Sequence, residues 1–155
     1  MNNELSDLEA FGAKWLPVIE PGARVMFEYA KLESLSGIHT SIADGFVERL
    51  GLKPIGFNWE LLDANADASE PRCALGEMTQ ALAHDISNPS RDWLSRQTAQ
   101  EAAQEFLEAF DPATRTLVSN RYDGLWNPIA GAAIEWGFVG YDDEQIALLL
   151  LIARE

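Results

Sequence analysis

Two histidines, one cysteine and a surplus of carboxylates are the groups in this chain able to do chemistry, and their spacing limits what that chemistry is. Cys73 and His84 lie eleven residues apart, which returns to a similar face if both sit on one helix. A thiolate–imidazole pair needs hydrogen-bond reach. Three helical turns, at ~1.5 Å per residue, is too far. His39 precedes Asp44 across a turn, the arrangement of an acid–base histidine and, more often, of a loop or capping histidine. A small-molecule enzyme would have to rely on His39 or His84. Paired carboxylates are plentiful and select nothing.

With so few His and Cys, a structural zinc site would need carboxylate ligands, an unusual set. Asp63-Ala64-Asn65-Ala66-Asp67 opens like a calcium loop, but the positions that need Gly and a bidentate Glu are Ala68 and Ala74. A solvated acidic loop is the simpler reading. Phosphate-binding and dinucleotide-binding glycine loops, zinc-protease helices and nucleophile elbows are absent from the sequence. No metal and no cofactor are expected.

The elements that would position these residues follow from periodicity. Ser6-Asp7-Leu8-Glu9 reads as a capping box. Leu8, Phe11 and Trp15 then share a helix face, and Pro17 stops that helix near Leu16. Residues 24–34 fit either period; the alternation of Val25, Phe27 and Tyr29 favours a strand. Residues 41–50 read as a helix through Ile42, Phe46 and Leu50, with Gly51 as its end cap. Ile55, Phe57, Trp59 and Leu61 alternate with small or polar residues, the clearest strand pattern in the chain.

Asp63 to Pro71 is an acidic loop. Leu75, Met78, Leu82 and Ile86 mark a helix ending before Ser87-Asn88-Pro89, and another helix begins near Ser90. Thr98-Ala99-Gln100-Glu101 would divide residues 91–110 into two helices; the alternative is one long helix. Residues 115–121, 134–141 and 145–153 read as strands, with Asp142-Asp143-Glu144 as a tight acidic turn. The run Gln145 to Ala153 is nearly all apolar, as in a strand covered on both faces. The expectation is one α+β domain, a mostly antiparallel sheet with helices packed against it.

The 155 residues carry 25 Asp and Glu against 11 Lys and Arg, a formal charge of −14. A field of this sign repels nucleic acid and anionic lipid and attracts basic proteins. No secretory signal is evident at the start, and the apolar run at the end is far short of the ~20 residues that span a bilayer. The single Cys73 fits a reducing compartment. A cytoplasmic protein bound to neither nucleic acid nor membrane is expected.

Trp15, Trp59, Trp93 and Trp136 fall at core positions, whereas Trp126 lies in the turn-rich stretch Tyr122-Asp123-Gly124-Leu125-Trp126-Asn127-Pro128. There it either plugs the core edge or anchors a partner. That stretch with Ile129, then Ala133-Ile134-Glu135-Trp136-Gly137 and the turn Asp142-Asp143, resembles the C-terminal part of small acidic immunity proteins of bacterial toxin–immunity systems, including contact-dependent growth inhibition. The resemblance covers about the last quarter of the chain.

What the resemblance implies is a non-catalytic protein that binds a cationic toxin domain, commonly a nuclease, and blocks it. The residues expected to meet such a partner are Asp142, Asp143, Glu144, Asp63, Asp67, Glu70 and Trp126. Two other readings stand beside it: the histidine-dependent enzyme, and an adaptor or structural subunit with a flat interaction surface.

Overall fold

A computed structural model describes residues 5–20, 24–32, 37–65, 73–85, 88–122, 125–132 and 134–153. In chain order the elements are α1 (Leu5–Ile19), β1 (Arg24–Lys31), α2 (His39–Arg49), a single 3₁₀ turn (Gly56–Asn58), β2 (Glu60–Leu62), α3 (Ala74–Ala83), β3 (His84–Asp85) and β4 (Asn88–Asp92). They continue with α4 (Arg96–Glu108), β5 (Thr116–Ser119), β6 (Arg121–Tyr122), β7 (Leu125–Trp126), β8 (Glu135–Tyr141) and β9 (Gln145–Ile152). Five strands form one antiparallel sheet in the order β1-β9-β8-β5-β2, and β3–β4 and β6–β7 are small separate hairpins. The fold is α+β, with helices packed on an antiparallel sheet.

Period two divides the apolar residues of the sheet between two cores. Ala147, Leu149 and Leu151 of β9, Trp136 and Phe138 of β8 and Leu117 of β5 join Leu8, Phe11, Met78, Leu82 and Phe106 from α1, α3 and α4, and Phe110 just after α4. Ile146, Leu148, Leu150 and Ile152, with Val139, Tyr141 and Val118, join Phe46 and Val47 of α2. Trp59 and Ile129, from irregular segments, complete that second core. A sheet buried on both sides has no place for alternating polar residues, which is why β9 reads as continuous apolar chain.

Several expectations need correction. The first helix runs through Pro17 to Ile19, and Leu5 is already helical, so Ser6 lies inside it. Pro17 removes one backbone donor, but Ile19 is fully buried and anchors the last turn in the core. The third helix ends at Ala83, short of Ile86, and residues 88–92 are a strand where a helix was expected. Residues 96–108 are one helix, capped by Ser95, whose Oγ accepts from Thr98 N at 3.1 Å, so Thr98 lies inside the first turn.

The largest departure is at 55–61. Only Glu60–Leu62 is strand there, and Gly56 takes φ +61, a left-handed value that favours glycine. The chain therefore turns where the apolar alternation predicts extension. Trp59 is buried, but Phe57 and Leu61 face solvent. Elsewhere β1, α2, β5, β8 and β9 occupy the segments expected of them, and Gly51, at φ +83, follows the end of α2.

The two-sided burial of β9 is testable. Leu148 and Leu149 point to opposite cores and both are inaccessible. Leu148→Ala and Leu149→Ala should each lower stability by about 2–5 kcal/mol. Urea unfolding measures this; a midpoint that stays put in either variant contradicts the burial of that face.

Candidate functional site

The turn between β8 and β9 separates its three acidic residues into two kinds. Asp142 is only 3% exposed. Its Oδ1 accepts from the backbone N–H groups of Glu144 at 2.9 Å and Gln145 at 3.0 Å, and its Oδ2 accepts from Asp111 N at 2.9 Å. An aspartate that opens a turn folds back on the backbone two residues on. Here its second oxygen also ties the turn to the residues after α4. Asp142 is thus a clamp and not the surface charge its position suggested. Asp143 and Glu144 are exposed.

Asp63, exposed, follows β2 and accepts from Asn65 N at 2.9 Å. Asn65 donates its side-chain amide to Pro112 O at 3.2 Å and accepts from Arg115 Nε at 2.8 Å. Asp67 and Glu70 lie outside the described residues. The segment after β2 is therefore bonded to Pro112 while the β8–β9 turn is bonded to Asp111, the adjacent residue. The register agrees: Leu62 pairs with Leu117 and Thr116 with Tyr141, which puts both acidic segments at one end of the sheet.

Two further exposed acids belong to this end, Glu108 at the close of α4 and Asp111 in the connection to β5. The sequence reading missed both. The basic residues set here among those described are Lys31, exposed on β1, and Arg115. Arg115 is half-buried, with Nη1 bonded to Leu107 O at 2.9 Å. Burial lowers its pKa from the ordinary guanidinium value, opposed by the charge of Glu108. Among the described residues the exposed acids of this end are Asp63, Glu108, Asp111, Asp143 and Glu144, against exposed Lys31.

Trp126 is half-buried in the β6–β7 hairpin. Its ring meets Trp136 edge-on at 5.5 Å, and the Arg121 guanidinium lies over it at 4.5 Å. These contacts, with its packing against the first core, place it at the core edge.

The histidines stand at helix ends. His39 opens α2, half-buried. Asp44 directs both oxygens to Ile55 N, Gly56 N and Trp59 Nε1 at 2.8–2.9 Å. Cys73 caps the start of α3, its thiol accepting from Gly76 N at 3.3 Å, and His84 follows the other end of that helix. The two are not a dyad.

His84 Nδ1 is 3.4 Å from Asp92 Oδ1 in an open cleft of about 240 Å³ lined also by Trp93, Ser95 and Arg96. Sites that enclose small-molecule ligands are typically ~300–1,000 Å³, so this cleft is small for an organic substrate. A second cleft, about 300 Å³, lies between α1 and α4, where Glu105 accepts from Lys14 Nζ at 2.8 Å and Trp15 Nε1 at 2.9 Å. Among the described residues no group of three His, Cys, Asp or Glu side chains could hold a metal ion, and no helix is long and apolar enough to cross a membrane.

Two outcomes follow. Asp142→Ala leaves the buried N–H of Gln145 and the part-buried N–H groups of Glu144 and Asp111 without this acceptor and should cost ~1–3 kcal/mol. Asp143→Asn should stay within about 0.5 kcal/mol, so equal melting points for the two variants contradict the clamp. Glu105 has its pKa lowered first by the Lys14 hydrogen bond and then by that of Trp15. A depressed carboxyl stabilises the fold above its unfolded pKa, and the gain is lost as pH falls through the folded value. The stability gap between parent and Glu105→Gln should therefore close on acidification; a gap that widens contradicts it.

No family model matches this chain, and no curated protein or solved structure matches it.

Proposed function

We propose that this chain is a non-catalytic binding protein that neutralises a cationic protein partner, in the manner of the acidic immunity proteins its C-terminal stretch resembles. The observation that supports it most is the acidic end of the sheet. Residues distant in sequence, Asp63 and the pair Asp143–Glu144, converge there on the α4–β5 connection, which adds Glu108 and Asp111. Arg115 is turned inward to backbone and amide oxygens.

The partner class follows from the charge. A toxin domain that acts on nucleic acid needs a basic groove for phosphates. An acidic surface meets such a groove with fast, steered association and covers it. The binding protein works in the cytoplasm, where the lone buried thiol of Cys73 needs no disulfide partner. It needs no cofactor, and its own charge keeps it from nucleic acid and anionic membrane.

The test begins with the full chain immobilised against extract of its native host, followed by kinetics with the purified basic protein that it retains. The triple variant Asp63→Asn, Asp143→Asn, Glu144→Gln should associate more slowly in low salt. The difference should shrink toward 1 M salt, where the screening length is about 3 Å. Thermal stability should hold. An unchanged on-rate in low salt removes the acidic end from recognition, and retention of no basic protein at all defeats the proposal.

A further inference from the structure

Beyond the acidic end, β2 closes the sheet order of the described strands, and two large apolar side chains on and before it are exposed. Phe57 is 80% exposed and Leu61 51% exposed, four residues apart on the 3₁₀ turn and the edge strand that follows it. Singly exposed apolar residues are ordinary on protein surfaces. Three observations set this pair apart.

The first is that the turn is held rigid. Asp44 of α2 accepts from Ile55 N, Gly56 N and Trp59 Nε1, while Gly56 supplies the left-handed kink and the Trp59 ring is buried. The frame that lifts Phe57 into water is fastened on both sides of it. An aromatic presented this way loses little conformational freedom when a partner covers it, the property of an interface anchor.

The second is the contrast between the two edges of the sheet. On β1, the other edge, the exposed residues are Arg24, Glu28 and Lys31. Charges at an edge deter strand pairing and aggregation. On β2 the outward residue is a leucine.

The third is position. Asp63 follows Leu61 by two residues, so the apolar pair continues directly into the acidic end. The geometry points to Phe57 and Leu61 as the apolar anchor of the interface whose charged part is the acidic end. The occupant is a protein with an apolar pocket flanked by Lys or Arg. A second copy of this chain is disfavoured, because two bodies of charge −14 repel. This assignment rests on the proposed binding role.

The experiment uses the full chain and the purified basic protein retained by it. Phe57→Ala should raise Kd by at least about tenfold, as truncation of an interface anchor does, chiefly through faster dissociation. Leu61→Ser should act in the same direction. Leu125→Ala, a 69% exposed control on the β6–β7 hairpin, should leave Kd unchanged. Circular dichroism should be the same for all, since each side chain is exposed.

If both β2-edge variants bind like the parent, the anchor is overturned while the binding role stands. If the parent retains no basic protein, the binding role falls and takes the anchor with it. If sedimentation shows the parent self-associating and Phe57→Ala monomeric, the occupant is a second copy and the assignment is wrong.

Discussion

Residues 146–152 set apolar side chains on both faces of β9, and neither face can be left to water. Each leucine so buried contributes roughly 1.5–3 kcal/mol, against a net stability that for a whole domain is only about 5–15 kcal/mol. A bare face would forfeit the fold. One face is covered by three helices with Phe11, Met78 and Phe106. Among the described residues the other has only α2, and irregular chain supplies the rest through Trp59 and Ile129.

Irregular chain over an apolar surface brings backbone N–H groups that have no ladder to join. Acidic side chains answer them. Glu135, fully buried, accepts from Ile129 N at 2.7 Å, Ala130 N at 3.0 Å and Ala132 N at 2.8 Å, and so fastens the segment that carries Ile129. Asp44 does the same for the segment that carries Trp59. Asp142 closes the β8–β9 turn. A carboxylate bonded to several N–H groups makes stronger hydrogen bonds than a neutral acceptor. Part of the acidic composition is thus internal framework, and the net charge of −14 is not a simple measure of surface field.

That double use explains what was legible from sequence and what was not. Strands β8 and β9 and helix α2 were readable because their patterns are long and agree with local propensity. The segment 55–61 was not, because Ile55, Phe57, Trp59 and Leu61 alternate like a strand while Asp44, eleven residues earlier, bends the chain. Periodicity cannot register a hydrogen bond from another element. Glu135 is hidden for a related reason: the N–H groups it receives, from Ile129, Ala130 and Ala132, reach it only through the fold of the preceding loop. The exposed acids Asp63, Asp143 and Glu144 were legible as turn and loop residues. Their meeting at one end was not, since it depends on β2–β5–β8 register.

The connection from α4 to β5 brings those acids together. Asp111 N reaches the β8–β9 turn and Pro112 O receives Asn65, while Arg115 returns to Leu107 O at the end of the helix. Gln145 adds a bond from the start of β9 to Ala109 O. Four parts of the chain are therefore fastened to one short segment, and exposed carboxylates are mounted on those fastened parts. Like charges held close together repel, and a loose loop would relieve that repulsion by moving apart. Here the clamps hold the segments that carry Asp63, Asp143 and Glu144 at one end of the sheet.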